Sequence, residues 1–246
     1  MTKGLAIVGN GKMGKLVDVL APAFDFEVRA RFATHNNAHA AGLTREALQH
    51  VDVAIEFSTP ESAPENLLRL ASLGVATVTG TTGWYDHLPA VRDAVLQANT
   101  SLVWGPNFSI GMNIFMQVVA QAAALFAKHP DYDAWGWEIH HAAKKDAPSG
   151  TLKKLAEEIR AAGYSRPMNL SANRAGAQPG THEIGFDSPS DTVTLRHTAR
   201  SREGFARGAL HAAAWAAANK GVYEFREILG ELSRHDSPAA CRCVSP

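Results

Sequence analysis

The sequence predicts an α/β protein in which a doubly wound parallel sheet is joined to a second domain of α+β structure. Two observations lead to this fold class. As far as residue 107, short apolar segments that end at glycine or a polar turn alternate with segments of helical periodicity. Beyond residue 107, strand segments alternate between apolar and polar residues. Alternating strands and helices are typical of parallel sheets with right-handed crossovers, whereas one-sided strands are typical of mixed sheets.

Five short strands are predicted in the first part of the chain, and the first of them is a fully apolar run closed by Gly9. Their expected positions are 5–8, 26–32, 51–57, 75–79 and 101–104. Apolar residues at helical spacing also predict helices around residues 13–20, 67–71 and 91–95.

The second part begins with a long apolar helix, expected from about Ile110 to Lys128. One stripe of this helix carries Ile114, Val118, Ala122 and Leu125. A one-sided strand is expected at 135–139, a helix from about 151, another strand at 192–197 and a small-residue helix at 205–218. Residues 165–190 are rich in Pro, Gly, Ser and Asn, so we expect mainly loops there.

The composition is that of a folded globular protein without a strongly charged surface. Of 246 residues, 46% are hydrophobic, and 24 Lys and Arg balance 24 Asp and Glu. This balance argues against nucleic acid or an anionic membrane as a partner. No apolar run suits a membrane span or the core of a signal peptide, so we expect a cytoplasmic protein. The two cysteines, Cys241 and Cys243, are expected to form a reduced tail.

A glycine-rich turn directly follows the first strand. It reads Gly9-Asn10-Gly11-Lys12-Met13-Gly14, the G-x-G-x-x-G pattern at the start of a helix. The first glycine permits the tight turn, the second lets the backbone approach a pyrophosphate, and the third lets helix and strand pack closely. Free N–H groups at the helix N-terminus then hold the phosphates. The pattern predicts a Rossmann-like, dinucleotide-binding domain, and a purely structural turn is the alternative.

The acidic residue that commonly binds the ribose 2′-hydroxyl is missing. Residues 29–36, at the end of the second strand, contain no Asp or Glu. A carboxylate there would repel a 2′-phosphate, whereas Arg31 and Lys12 can attract one. The sequence therefore favours NADPH and leaves NADH as a further candidate. The alternative is that both cations are simply solvated.

Two further loops close strands of the same sheet. They read Gly80-Thr81-Thr82-Gly83 and Gly105-Pro106-Asn107-Phe108. Ligands of open α/β sheets bind outside the carboxyl ends of the strands. Both loops are therefore candidates for the nicotinamide side of the site, and plain turns are the alternative.

The densest group of reactive side chains lies at residues 138–151, where a strand ends and a helix begins. Ser149 or Thr151 can cap that helix, and Gly150 lets its N-terminus approach a ligand. Such an N-terminus binds carboxylates well. Lys144 adds a cation that can pair with the same anion or deliver a proton.

Two adjacent histidines, His140 and His141, complete this group. They titrate near neutral pH, which suits general acid catalysis, and on an extended strand they face opposite sides. The alternative is a pair of histidines and a pair of lysines on a solvated loop. Adjacent histidines lack the ligand spacing of a zinc site, so no metal is expected.

These residues resemble a known family. Residues 138–151 match the signature E-x-H-H-x-x-K-x-D-A-P-S-G-T of the 4-hydroxy-tetrahydrodipicolinate reductases, also called dihydrodipicolinate reductases, of bacterial diaminopimelate and lysine synthesis. Other segments match the family in order, namely the glycine loop, 80–83, 107–109, 179–183 and 197–202. The resemblance covers the chain as far as about residue 230.

The resemblance implies roles for individual residues. His140 matches the proton donor or acceptor, and Lys144 matches the second proton donor. The expected substrate-binding residues are His141, Ser149, Gly150, Thr151 and Arg202. The expected cofactor-binding residues, besides Arg31, are Gly9, Asn10, Gly11, Lys12, Met13, Gly80, Thr81, Thr82, Gly105, Pro106, Asn107 and Phe108.

The resemblance also implies an activity and an assembly. The expected reaction is the reduction of 4-hydroxy-tetrahydrodipicolinate, a small dicarboxylate, with NADPH or NADH. Residues 1–107 and 203–246 are expected to bind the dinucleotide, and 108–202 to bind substrate and to build a homotetramer. The segment from Phe186 to His197 is shorter than in many relatives, which affects the sheet that builds that tetramer.

Two alternatives remain at this point. One is another two-domain nicotinamide oxidoreductase, such as an amino-acid or sugar dehydrogenase, because fold alone does not fix function. The other is a protein that senses NAD(P)H without turning it over.

Overall fold

The computed structural model describes residues 2–232. The cysteine tail, predicted to be reduced, lies outside the described residues. The chain divides into two compact units: the first runs up to Ser109 and resumes at Phe205, and the second is Ile110–Gly204. No helix within residues 2–232 has the length and apolar character needed to cross a membrane.

Ten strands and seven α-helices lie within residues 2–232. The strands are β1 (Lys3–Val8), β2 (Phe26–Phe32), β3 (Val53–Glu56), β4 (Ala76–Thr79), β5 (Ser101–Trp104), β6 (Asp133–His140), β7 (Asn169–Arg174), β8 (Thr181–Asp187), β9 (Thr192–Thr198) and β10 (Gly221–Glu224). The helices are α1 (Lys12–Leu20), α2 (Ala63–Ser72), α3 (Leu88–Gln97), α4 (Ile110–Phe126), α5 (Gly150–Ala161), α6 (Glu203–Ala216) and α7 (Leu229–Leu232).

The first unit is built on a six-stranded sheet in the order β10-β5-β4-β3-β1-β2. Every neighbouring pair is parallel. The chain leaves β1 toward β2 on one side and returns to β3 on the other, so the direction of winding reverses beside β1. The predicted doubly wound parallel sheet is confirmed. The apolar runs that predicted it are almost entirely buried in β1, β3 and β4.

The second unit is built on a four-stranded mixed sheet in the order β7-β6-β8-β9. β6 pairs in parallel with β7 and antiparallel with β8, which pairs antiparallel with β9. Helices α4 and α5 share a core with this sheet. The buried residues of that core include Met112, Phe115, Val119, Leu152, Leu155, Ile159, Ile184 and Phe186. The predicted α+β character of this part is confirmed.

The expectation of loops at residues 165–190 was wrong, because β7 and β8 lie there. Strand β7 has the sequence Asn169-Leu170-Ser171-Ala172-Asn173-Arg174, which is polar and has weak strand propensity. It forms because all six of its residues are in register with β6. Strand β10 was also not predicted, and it owes its place to pairing with the distant β5. Pairing between distant segments overrides local propensity in both cases.

Helix α4 is apolar on more than one side. The stripe noted in the sequence lies on its exposed side, where Ile114 is 50% and Leu125 64% exposed. The residues it buries are instead Met112, Phe115, Val119 and Ala123. A helix that is apolar all round is typical of one covered on both sides.

We predict that removing one buried hydroxyl will measurably destabilise the second unit. The Tyr164 hydroxyl accepts a bond from the Ala134 N–H at 2.7 Å and donates to the Tyr132 carbonyl at 2.9 Å. Tyr164→Phe leaves that buried N–H without its acceptor, which should lower the free energy of unfolding by about 1–3 kcal/mol in urea titrations.

The matched control is Tyr132→Phe. Its hydroxyl bonds Asp191 on the surface, so the same substitution should cost under about 0.5 kcal/mol. Equal effects of the two substitutions would contradict the role assigned to Tyr164.

Candidate active site

The glycine loop has the backbone geometry that its pattern predicts. Gly9 has φ +103°, a conformation that other residues rarely adopt, and a Cβ on Gly14 would overlap the Gly9 carbonyl oxygen. The space beside Gly11 is open. Gly11 is also the N-cap of α1 and has no side chain to bond the first-turn N–H groups. The loop therefore offers open space and free donors, the arrangement that a phosphate group needs.

A cavity of roughly 530 Å³ adjoins this loop at the carboxyl ends of β1, β2 and β3. Its lining residues are Val8, Gly9, Asn10, Gly11, Phe32, Ala33, Thr34, His35, Asn37, Ala38, His39, Phe57, Ser58, Thr59, Ser62 and Asn66. Among these described lining residues there is no Asp or Glu. The position of the cavity is the one where open α/β sheets bind dinucleotides.

Arg31 is not among the described residues that line this cavity, and its side chain is already paired. Its Nε and Nη2 atoms each lie 2.7 Å from an oxygen of Asp18 on α1. This bidentate bond lowers the pKa of Asp18 and raises that of Arg31. Lys12 and Met13, in the first turn of α1, are likewise not among the described lining residues. Binding of a 2′-phosphate by Arg31 stays a prediction, and it requires Arg31 to leave or share Asp18.

A buried glutamate joins the ends of β3 and β4. Glu56 is fully buried and accepts bonds from the Ser58 N–H at 2.9 Å, the Ser58 hydroxyl and the Thr79 hydroxyl at 2.5 Å. The Ser58 N–H also bonds the Thr81 hydroxyl oxygen at 2.9 Å. The predicted loop at Gly80 and Thr81 is thus tied to the cavity wall. Glu56 was not predicted from the sequence, although an acid at the end of an apolar strand was a visible signal.

The residues of the other predicted cofactor loop, 105–108, differ in how far they are buried. Phe108 is buried and packs against Phe225, with ring centroids 4.6 Å apart, so its side chain is part of the core. Gly105 is also buried, whereas Pro106 and Thr82 of the neighbouring loop are exposed. Asn107 accepts a bond from the Ser109 N–H at 2.9 Å, which fixes the turn after β5.

The second unit contains a buried polar cluster around Glu138 of β6. Its Oε1 accepts bonds from the Ser149 N–H and from Arg174 Nη2, both at 2.8 Å. Its Oε2 accepts from the Ser149 hydroxyl and lies 3.4 Å from His182 Nε2 and 3.7 Å from His140 Nδ1. The end of β6 is thereby joined to the start of α5, the end of β7 and the start of β8.

Burial and neighbouring groups together set the pKa values of this cluster. Burial raises the pKa of Glu138, but bonds from Ser149 and Arg174 outweigh burial and hold that pKa below its usual value. Burial lowers the pKa of His140 against the pull of the Glu138 charge. Burial and the nearby His140 lower the pKa of His182 to about 4. Glu138 is therefore ionised at neutral pH and the two imidazoles are neutral.

Three residues of this cluster could in principle bind a metal ion. Glu138, His140 and His182 each place one potential ligand atom within 4.8 Å of the others. The guanidinium of Arg174 already bonds the carboxylate, and Ser149 donates to both carboxylate oxygens. A cation would compete with these donors. The arrangement therefore favours an internal network over a metal site.

Ser149 is the N-cap of α5, since its hydroxyl oxygen accepts the Leu152 N–H at 3.1 Å. Both of its own donors are taken by Glu138. Substrate binding by Ser149 stays a prediction, and in this structure the residue supports the site from inside. Gly150 begins α5 with open space around its Cβ position, and Thr151 follows it half-buried.

The loop before α5 carries the remaining predicted residues. Lys144 Nζ bonds the Asp146 carboxylate at 2.7 Å. That bond lowers the pKa of Asp146, and the Gly150 N–H contributes in the same direction. His141 is half-buried just beyond β6. Arg202 is exposed in the turn before α6 and is not part of the Glu138 cluster in the described chain.

Family models match both units of the chain. The N-terminal model of dihydrodipicolinate reductase matches residues 3–108, and the C-terminal model matches residues 111–229. The 4-hydroxy-tetrahydrodipicolinate reductase of Methanoregula boonei is 32% identical over 94% of this chain and 98% of its own length. That of Christiangramia forsetii is 29% identical over 94% and 99%.

Solved structures agree on the fold. A dipicolinate-bound dihydrodipicolinate reductase from Paenisporosarcina sp. TG-14 has a TM-score of 0.78 at 24% identity, covering 93% of this chain and all of that one. An amine dehydrogenase from Mycobacterium smegmatis has a TM-score of 0.63 at 9% identity, covering 92% and 96%. On the evidence of both family models and the full-length relatives, this chain belongs to the dihydrodipicolinate reductase family.

Proposed function

We propose that this protein reduces 4-hydroxy-tetrahydrodipicolinate to tetrahydrodipicolinate with NADPH or NADH, in diaminopimelate and lysine synthesis. The observation that carries the proposal is the membership of both units in one reductase family. The loop from His140 to Thr151 supports it, because this loop combines a histidine, a lysine and a helix N-terminus suited to a dicarboxylate. A sugar dehydrogenase has no need for such an anion site.

The first unit is proposed to hold the nicotinamide cofactor, which supplies the hydride. Open space at Gly11 and the uncapped start of α1 suit the pyrophosphate. The cavity beside them offers no described carboxylate that would repel a 2′-phosphate. The same described lining lacks the acid that commonly selects for NADH, so we expect both cofactors to be accepted. The preference between them then depends on whether Arg31 binds the 2′-phosphate.

The second unit is proposed to hold the substrate. Lys144 and the N–H groups at Gly150 and Thr151 offer a cation and donors for a carboxylate. In the free protein, the Asp146 carboxylate interacts with both Lys144 Nζ and the Gly150 N–H, so a substrate carboxylate would take the place of the Asp146 carboxylate. Reduction adds one hydride and one proton and releases water. His140, neutral in the free protein, and Lys144 are the proposed groups for moving the proton.

A homotetramer is proposed through the open face of the second sheet. Trp135, Trp137 and Ile139 point away from the buried side of β6 and remain half-buried. Such an apolar face on a sheet is typical of an interface with further copies. A cytoplasmic location is part of the same proposal, because amino-acid synthesis with reduced nicotinamide takes place there.

We predict that Lys144→Ala lowers kcat by about 10²-fold or more, the usual scale for a general acid. The assay follows nicotinamide absorbance with imine made fresh from pyruvate and aspartate semialdehyde by the preceding synthase. Lys145→Ala is the matched control, because this exposed neighbour carries the same charge and should leave kcat within about 2-fold.

Two outcomes would count against the proposed function. Equal turnover of the two lysine variants would remove Lys144 from the mechanism. Binding of NADPH by the wild-type protein without any oxidation would favour the sensing alternative.

A second prediction concerns assembly. Trp137→Glu places a charge on the open sheet face and should convert the tetramer to smaller species in light-scattering measurements. Val19→Glu, on an exposed site of α1, is the matched control and should remain tetrameric. A tetramer of unchanged mass in the Trp137 variant would exclude this face as the interface.

A further inference from the structure

Glu138 is the most completely buried charged group of the second unit, with no exposed surface. Removing a carboxylate from water is costly unless donors replace the lost hydration. Ser149 at the start of α5 and Arg174 at the end of β7 donate hydrogen bonds to it. The imidazoles of His182 and His140 lie close to the same carboxylate, at 3.4 and 3.7 Å.

The imidazole of His140 is enclosed on two sides, although its Nδ1 makes no hydrogen bond within the described residues. On one side, Nδ1 lies 3.7 Å from the Glu138 carboxylate, and the His182 ring packs edge-on with centroids 5.0 Å apart. On the other side is Gly180, where a Cβ would lie 2.9 Å from His140 Nε2. Gly180 also has φ +147°, so a larger residue there is disfavoured twice. The ring therefore has little freedom to turn.

We propose that Glu138 is a positioning residue of the active site, which holds the Ser149 start of α5 by hydrogen bonds and acts on the imidazole of His140 through its charge at 3.7 Å. The inference rests on the proposed function, because it takes His140 as the proton-transferring group and α5 as the carboxylate site. Glu138 is buried beneath both groups. It acts through His140 and Ser149 and does not itself contact substrate.

The charges around His140 determine how Glu138 can be tested. Glu138 and Asp146 favour the protonated imidazole, whereas Lys144 and Arg174 disfavour it, and burial opposes it as well. His182 packs against the same ring. Removing the Glu138 charge should therefore lower the pKa of His140, and removing the Arg174 charge should raise it. The two substitutions have opposite expected signs although both break the same ion pair.

The experiment compares Glu138→Gln and Arg174→Met with wild type in the reductase assay across pH. Glu138→Gln should lower kcat at least about 10-fold, part of the 10²- to 10⁴-fold that a positioned acid contributes. Its pH midpoint in kcat/KM should move down by roughly one unit, and that of Arg174→Met should move up. Glu138→Asp keeps the charge and should restore the wild-type midpoint.

The matched control is Glu183→Gln, on the neighbouring strand β8. Glu183 pairs with Arg196 and is adjacent in sequence to His182, but it is not among the groups that act on His140. It should keep the wild-type midpoint and kcat within about 2-fold. Turnover by the wild-type protein tests the proposed function separately. A wild-type protein without turnover would contradict the proposed function, whereas an unshifted pH midpoint in the variants would contradict the role of Glu138.

Two results would overturn the inference. One is a pH midpoint that moves in the same direction in both variants, because a general disturbance of the site would not shift the two midpoints in opposite directions. The other is a Glu138→Gln enzyme with an unchanged midpoint. Should Glu138→Gln fail to fold, Arg174→Met decides alone, since its partly exposed side chain tolerates loss better, and an upward shift or its absence gives the answer.

Discussion

Each of the two units completely buries one glutamate, and the placement of the functional residues depends on how that carboxyl group is satisfied. Glu56 accepts hydrogen bonds from Ser58 and Thr79 where β3 and β4 end. Glu138 accepts hydrogen bonds from Ser149 and Arg174 near the end of β6. In both units the donors come from the ends of strands and from the turns beside them. Their hydrogen bonds offset the cost of burying each acid, and they join the segments proposed to hold the ligands.

The signature at residues 138–151 combines support and chemistry in one short segment. Glu138, His140 and Ser149 face inward and belong to the buried cluster, whereas Lys144 and Gly150 remain accessible. Strand alternation accounts for the inward orientation of Glu138 and His140, because residues two apart on a strand share a face. A single strand-to-helix junction therefore builds both the binding groups and the structure that holds them.

The sequence predicted the features that arise locally. The strands predicted at 26–32 and 101–104 coincide with β2 and β5 to the residue, and the spacing of glycines located the turn before α1. It did not predict partners that are distant along the chain. Arg31 pairs with Asp18, Glu138 pairs with Arg174, and β7 forms only against β6. Such contacts require the tertiary arrangement, so local patterns could identify Ser149 as a helix cap but not its bonds to Glu138.

The sheet of the first unit is completed by a strand that arrives late. β10 lies beside β5 at the edge of the sheet, and the whole second unit is inserted between them in the chain. During synthesis, β5 therefore presents an unpaired edge until residue 224 has emerged, while the inserted unit already has all of its own strands. Strands of other chains can add to an unpaired edge, so the nascent protein leaves β5 open to such pairing until β10 is in place. The order of the strands along the chain thus moves this edge of the sheet from β5 to β10 only late in synthesis.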